Sequence, residues 1–302
     1  MTWIKHGRIF EPGGQAPWIG THAMVPLVEA RGDGQRVYFA SRDGLGRAHV
    51  GFGTLSSNLG THMTDLSPEP VLSPGALGTF DDNGVTPACL VTLGERRYLY
   101  YNGWTRGVSV PFYLNVGVAI SDSGGPFVRH SQAPLLDRCP ADPYLTATPW
   151  ILIEGSRWRM WYVSGTGWKI VDGRPRHSYH IKYAESPDGL RWTRAGVVCL
   201  DYERDEYAFA RPCVIHDTAL KRYRMWYCVR GAAYRLGYAE SSDGIGWQRQ
   251  DGRAGLPASD EGWDSEMIAY PMVFRQDGGL RMLYNGNGYG RTGIGLASFS
   301  PA

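Results

Sequence analysis

Five times along this chain a proline interrupts a short apolar run: HAMVPLVEA, NGVTPACLV, LTATPWILI, AFARPCVIH and MIAYPMVFR. The prolines are Pro26, Pro87, Pro149, Pro212 and Pro271, at intervals of 61, 62, 63 and 59 residues. A near-constant period of this kind marks a repeat architecture, in which each copy is one supersecondary unit stacked on the next. After each proline come a tight turn and a second strand (QRVYFASRD, RRYLYYNGW, SRWRMWYVSG, KRYRMWYCVRG, GLRMLYNGNG), then a third (HVGFGTLS, NVGVAISDS, HIKYAESPDG, RLGYAESSDG, GIGLASFS). A fourth strand pairs an aromatic with a basic residue, as in Phe127/Arg129, Trp192/Arg194 and Trp247/Arg249. No helical periodicity intervenes. The pattern predicts an all-β chain, a five-bladed β-propeller of four-stranded antiparallel blades forming one domain over 1–302. The blades fall at about 18–75, 76–137, 138–200, 201–255 and 256–302. The last copy lacks a fourth strand, and WIKHG near the N-terminus matches WTRAG position for position. Strand 2–10 is therefore expected to complete that blade and close the ring. The prolines suit inner edge strands, where a missing N–H costs no ladder bond.

Composition narrows the function classes. Forty glycines and 13% aromatic residues fit many strands joined by tight turns. A formal charge of +2 gives no reason to expect nucleic acid or an anionic membrane as partner. The start, MTWIKHGRIFEPGG, lacks the apolar core of a signal peptide. The five cysteines (Cys89, Cys139, Cys199, Cys213, Cys228) show no C-x-x-C spacing and read as reduced residues of a cytoplasmic protein. His49, His177 and His180 are not spaced like a zinc site, so neither metal nor cofactor is expected.

Strands in a blade alternate in direction, so the starts of strands one and three share a face with the end of strand two. On that face the links GWTRGVSVPFYL and GTGWKIVDGRPRHSY read as long loops rich in Trp, Tyr, Arg and His. The opposite face carries SPDG and SSDG, plain turn chemistry with a structural role. Counting back from each proline in steps of two assigns Val25, Thr86, Thr148, Arg211 and Tyr270 to the channel wall. Met24, Val85, Ala147, Ala210 and Ala269 then face away. Five before the prolines, in the channel phase, stand Thr21, Asp82, Tyr144, Tyr207 and Glu266, while Asp81, Asp142, Glu206 and Asp264 are nearby but out of phase. The candidate catalytic residues are Asp82, Glu266 and Glu206. The candidate substrate-binding residues are His22, Arg42, Asn102, Trp104, Asp142, Trp168, His180, Arg211, Arg230, Asp264, Tyr270 and Asn285. Carboxylates, amides, arginines and aromatic faces around one mouth suit a carbohydrate. Its hydroxyls need donors and acceptors, and its apolar ring face stacks on Trp or Tyr. His22 reads as a sugar contact, as a base titrating near neutrality, or as a residue that merely completes the channel wall.

The YAESPDGLRW and YAESSDGIGW turns and the RMWY strands resemble the five-bladed propeller superfamily of glycoside hydrolases, families 32, 43 and 130 among them. GTFDDNGVTP, YLYYNGW, ARP and GWDSEMIAYP resemble propeller proteins encoded beside polysaccharide biosynthesis genes. The resemblance implies a glycosidase-type enzyme. In families 32 and 43 a catalytic Asp enters at blade 1, where this chain has Thr21–His22. The resemblance implies Asp82 or Asp142 as the counterpart of the second Asp of those families and Glu206 as that of their acid, with a surrounding motif that departs from theirs. The expected ligand is a carbohydrate or sugar nucleotide. Hydrolysis through paired carboxylates is the first reading. Phosphorolysis or action on a phosphorylated or nucleotide-linked sugar is the second, and a non-catalytic glycan-binding propeller the third.

Overall fold

A computed structural model describes residues 2–32, 34–56, 62–203 and 205–300, so the outermost residues of the expected domain 1–302 lie outside it. Strand β1 spans Thr2–Phe10, and the first repeat supplies β2 (Met24–Arg31), β3 (Gly34–Arg42) and β4 (Ala48–Ser56). The second supplies β5 (Gly84–Leu93), β6 (Arg96–Arg106), β7 (Phe112–Asp122) and β8 (Val128–Arg129). The third supplies β9 (Thr146–Glu154), β10 (Arg157–Val171), β11 (Arg174–Ser186) and β12 (Val198–Leu200). The fourth supplies β13 (Ala208–Asp217), β14 (Arg222–Arg230), β15 (Tyr234–Ser241) and β16 (Gln248–Arg249), and the last β17 (Ala269–Gln276), β18 (Gly279–Asn285) and β19 (Ile294–Ser300). Within each repeat consecutive strands pair antiparallel. The proline strands pack side by side, β2 on β5, β5 on β9, β9 on β13, β13 on β17 and β17 on β2. Strand β1 lies antiparallel on β19, opposing Trp3 to Phe299, as the outer member of the sheet β1-β19-β18-β17.

The second strand of each repeat explains the layering. It carries adjacent large side chains (Tyr38/Phe39, Tyr100/Tyr101, Trp161/Tyr162, Trp226/Tyr227, Leu283/Tyr284), all fully buried. Neighbours on a strand point to opposite faces, so both faces of each sheet are covered by other sheets. One of these faces anchors the next repeat: Tyr100 Oη donates to Gly189 O at 2.9 Å, and Trp161 Nε1 to Gly244 O at 2.7 Å. Those acceptors are the SPDG and SSDG turns, where Asp188 and Asp243 take the backbone N–H groups of the turn.

On the other face the tyrosine hydroxyl meets a buried carboxylate, which in turn meets a cation from the outer strand. Asp81 accepts from Tyr101 (3.1 Å) and Arg129 (2.8 Å). Asp142 accepts from Tyr162 (3.0 Å), Ser164 (2.7 Å), Lys182 (3.2 Å) and Arg194 (2.9 Å). Asp264 accepts from Tyr284 (3.2 Å) and from Lys5 of β1 (2.8 Å). In the fourth repeat Tyr227 donates to Asp251 at 2.6 Å, and Arg249 bridges Asp251 to Glu206, which also binds Arg235. The basic residue that recurs on the fourth strand is thus one end of a clasp across each of these sheets. In the first repeat the tyrosine position holds Phe39, and Trp18 packs on it at 5.2 Å in place of a carboxylate.

Asp142 is fully buried and its two cations are nearly so. Removing one partner of a buried pair leaves uncompensated charge, typically at a cost of about 3–5 kcal/mol. Asp142→Ala is therefore expected to lower the urea-unfolding free energy by about that much. A loss under about 1 kcal/mol would show that the clasp does not hold the sheet.

Candidate functional site

The mouth is built where the proline strands begin. Val25, Thr148, Arg211 and Tyr270, each just before its proline, have φ of 54°, 40°, 53° and 55°. Non-glycine residues rarely adopt this left-handed region and persist there only when their surroundings hold them. Each backbone N–H is held by a side chain of the preceding repeat. Asn285 Oδ1 takes Val25 at 2.8 Å, Asn102 Oδ1 takes Thr148, Thr148 Oγ1 takes Arg211 at 3.2 Å, and Cys228 Sγ takes Tyr270 at 3.0 Å. Each of these kinks shifts the strand register, as between Met24 and Leu27.

The bulge overturns the simple count of two. The axial cavity, about 140 Å³, is lined by residues from both expected faces, namely Met24 and Val25, Ala147 and Thr148, with Thr86, Ala210 and Tyr270. Asn102, Tyr179 and Tyr234 also contribute, and no carboxylate does. Tyr179 and Tyr234 share a hydroxyl hydrogen bond at 3.1 Å. Burial pushes the Tyr179 hydroxyl up to about 12.

Several expected ligand contacts are committed to the scaffold. Arg211 is fully buried, and its guanidinium donates to Pro26 O of β2 (2.9 Å) and Ala88 O of β5, touches Met272 Sδ of β17, and lies 5.5 Å from the Trp150 ring of β9. It closes the axis rather than meeting a ligand, and burial lowers its pKa. Asn285 is fully buried, its amide bound to Ala23 O and Gly293 O. Asn102 donates to Thr86 Oγ1 at 2.8 Å. Asp142 and Asp264 are saturated by their clasps. Burial raises the Glu206 carboxyl, but Arg249, the Glu203 N–H and Arg235 outweigh it and hold the group below its usual range, the wrong direction for an acid.

Other candidates are not committed in this way. Asp82 accepts the Gly78 N–H at 3.0 Å through Oδ2, while its buried Oδ1 has no partner. Glu266 is exposed, its backbone N–H bound by Asn287. No basic side chain pairs with either carboxylate among the described residues. Trp104 is half-buried against Gly84, where a β-carbon would come within 2.2 Å of the indole nitrogen. Trp168 packs edge-on to Phe112 (5.3 Å) and His177 (5.5 Å). The two expected loops are extensions of the hairpins β6–β7 and β10–β11, the second closed by Asp172–Gly173 with positive φ at both residues. Tyr179 lines the cavity, while its neighbour His180 lies 3.7 Å from Asp201. Burial and Lys182 lower the His180 pKa.

The mouth is rich in unpaired cations. Arg42, Arg176, Arg230 and Arg291 have no carboxylate within ion-pair distance among the described residues. Arg230 instead lies over the rings of Tyr207, Tyr234 and Tyr289 at 5.1–5.5 Å. Burial, Arg42 and Arg291 hold His22 down to about 4, and burial, Arg230 and Arg176 hold His177 to about 4. His22, bound to Thr21 Oγ1 at 2.7 Å, is neutral at pH 7 and a weaker base than expected. Sequence reading missed Arg176, Tyr179, Tyr234, Tyr289 and Arg291. A heavy Tyr and Arg content just after the GNG and RGAA stretches was the available signal. Among the described residues no three His, Cys, Asp or Glu side chains gather to hold a metal, and no helix is long and apolar enough to cross a membrane.

No family model matches the chain. Two proteins of Mycobacterium tuberculosis, Rv1502 (strain H37Rv) and MT1551 (strain CDC 1551), are each 43% identical over 299 residues, covering 98% of this chain and 99% of theirs. The chain belongs to their family. Among solved structures, the complex of BT0996 with RGII is similar at TM-score 0.77 and 19% identity, covering 99% of this chain and 92% of that one. A thermostable family-43 glycoside hydrolase is similar at TM-score 0.68 and 19% identity, covering 97% and 94%. The Bombyx mori family-32 β-fructofuranosidase BmSUC1 matches at TM-score 0.63 and 15% identity, covering 92% of this chain and 61% of that one. The Rv1502 family thus shares the all-β propeller fold of these glycoside hydrolases.

The neutral histidines have a consequence for stability. The unfolded chain protonates His22 and His177 near 6.5, whereas the folded chain does so only near 4. Between those values the unfolded state binds more protons, so stability is lost as pH falls through that window, by roughly 3 kcal/mol for buried His22. Urea unfolding at pH 7, 5.5 and 4.5 is expected to show that loss, with a shallower slope in His22→Gln. An unchanged slope in the variant would refute the assignment.

Proposed function

We propose that the chain is a carbohydrate-active enzyme of the glycosidase type, a five-bladed propeller closed by β1, which binds a sugar or sugar conjugate at its mouth. The contrast between two classes of carboxylate carries this reading. Asp81, Asp142, Glu206 and Asp264 are tied into clasps, whereas Asp82 and Glu266 pair with no cation among the described residues. We assign Glu266 as the acid that protonates the leaving oxygen, and Asp82 as the base or stabiliser of the developing positive charge. Trp104 and Trp168 offer ring faces, and Thr86 and the Tyr179–Tyr234 pair offer hydroxyls. The blade count rests on the cyclic packing of the five proline strands and on the pairing of β1 with β19. A carbohydrate complex among the structures of this fold supports the ligand class.

The four unpaired arginines favour a sugar bearing negative charge, phosphorylated or nucleotide-linked. The resemblance to propellers encoded beside polysaccharide biosynthesis genes, together with five free cysteines, points to a cytoplasmic sugar conjugate as the substrate class to try first. The test is product release by mass spectrometry from glycosides, oligosaccharides and sugar nucleotides, with and without phosphate. Glu266→Gln is expected to cut turnover about 10²–10⁴-fold, the usual contribution of general acid catalysis, and Asp82→Asn to cut it comparably. Full turnover in both variants would contradict the assignment. Sugar binding without turnover in the wild type would leave a glycan-binding propeller.

A further inference from the structure

The extended β10–β11 hairpin and the segment before β13 enclose a second depression, of about 450 Å³, within the size range of small-molecule sites. Lys169, Arg176, His177 and Ser178 line it from the hairpin, Tyr202 and Tyr207 from the facing segment. Arg176 lies over the Tyr207 ring at 4.5 Å, and Arg230 over the same ring at 5.5 Å. Neither arginine, nor Lys169, has a carboxylate partner among the described residues. Glu206 is neutralised by Arg249 and Arg235, which leaves the exposed Asp205 as the one unpaired carboxylate of the lining. Two lining cations, Lys169 and Arg176, thus face one unpaired carboxylate, and Arg230 adjoins the lining through the Tyr207 ring. His177 Nε2 is buried and makes no hydrogen bond.

We propose that this depression is a subsite for the phosphate of a phosphorylated sugar, held by Arg176, Arg230 and Lys169 with a hydrogen bond from His177. Two guanidinium forks, an ammonium and an imidazole N–H suit a tetrahedral dianion with several acceptor oxygens better than a planar carboxylate with two. Burial, with Arg230 and Arg176 nearby, also lowers the His177 pKa to about 4. The sugar half of the ligand lies toward the axis. His177 stacks on Tyr179 at 4.7 Å with the rings 2° from parallel, and Tyr179 lines the axial cavity. Arg230 spans the same boundary, reaching from Tyr207 to Tyr234. Of the lining residues, Ser178 and Tyr202 also carry hydroxyls able to meet those of a sugar, both bonded to Thr166 Oγ1, at 2.8 and 3.1 Å.

The sugar half rests on the carbohydrate reading above, but the phosphate half does not, so inorganic phosphate is the first probe. Titration at low salt, followed by calorimetry and by the His177 ring signals in NMR, is expected to show one saturable phosphate per chain. Arg176 is exposed, so Arg176→Gln leaves the fold intact and is expected to weaken binding about tenfold or more, as loss of a charge-assisted fork would. Arg157→Gln, in a hairpin turn of the opposite face, leaves binding unchanged. A hexose 1-phosphate binds more tightly than its parent hexose, and Arg176→Gln removes that preference. Absence of saturable phosphate binding, equal binding in Arg176→Gln, or tighter binding of glucuronate than of phosphate overturns the subsite. Neutral sugars still binding in those cases would leave the carbohydrate reading standing. Phosphate binding with no sugar contribution would remove that reading alone.

Discussion

The interaction on which the rest of this structure depends is the buried clasp of carboxylate, tyrosine and cation that recurs in four of the five repeats. Charges this deeply buried are tolerable only when paired and hydrogen-bonded, and here every carboxylate oxygen has two or more donors within reach in the fullest case, Asp142. The clasp joins the entry to the inner strand, the middle strand and the outer strand, so a sheet cannot slip without stranding a charge. In the last repeat the cation is Lys5, which ties the N-terminal strand to Asp264 across 259 positions of sequence. Lys5 and Trp3 together fix that strand, since the indole nitrogen bonds Ala254 O at 3.1 Å.

This arrangement also defines where chemistry is available. The clasps absorb Asp81, Asp142, Glu206 and Asp264, and among the described residues only carboxylates outside them, Asp82 and Glu266 included, are left without a cation near the inner-strand entries. The axis itself is sealed by Arg211, which binds carbonyls on two strands and packs against two more, with its Nε unpartnered. A buried guanidinium without a counter-ion is expensive, and so are the left-handed residues above it. Both persist because side chains of adjacent repeats hold them.

The repeat, the strand succession and the pairing of the chain ends were legible because proline spacing and the matched WIKHG and WTRAG segments survive in the sequence. The identity of the basic partner on the fourth strand was legible too, but not its purpose. What the sequence hid was geometry within single residues. A kink at four of the five pre-proline positions breaks the period of two, so Met24 and Val25 both line the cavity. On β11 it is Tyr179 and not its neighbour His180 that lines the cavity. Burial decided the remainder. Arg211, Asn285 and Asp142 carry groups suited to a sugar, and nothing in their types reveals that other repeats have already taken up those groups.

The most direct test of the account is to map where a bound oligosaccharide or sugar phosphate protects the backbone from hydrogen exchange. The account predicts protection around Asp82–Thr86, the β10–β11 hairpin from Thr166 to Ser178, and Asp264–Tyr270, with none at the Ser186–Gly189 and Ser241–Gly244 turns. Protection confined to those turns would place the ligand on the opposite face and contradict it.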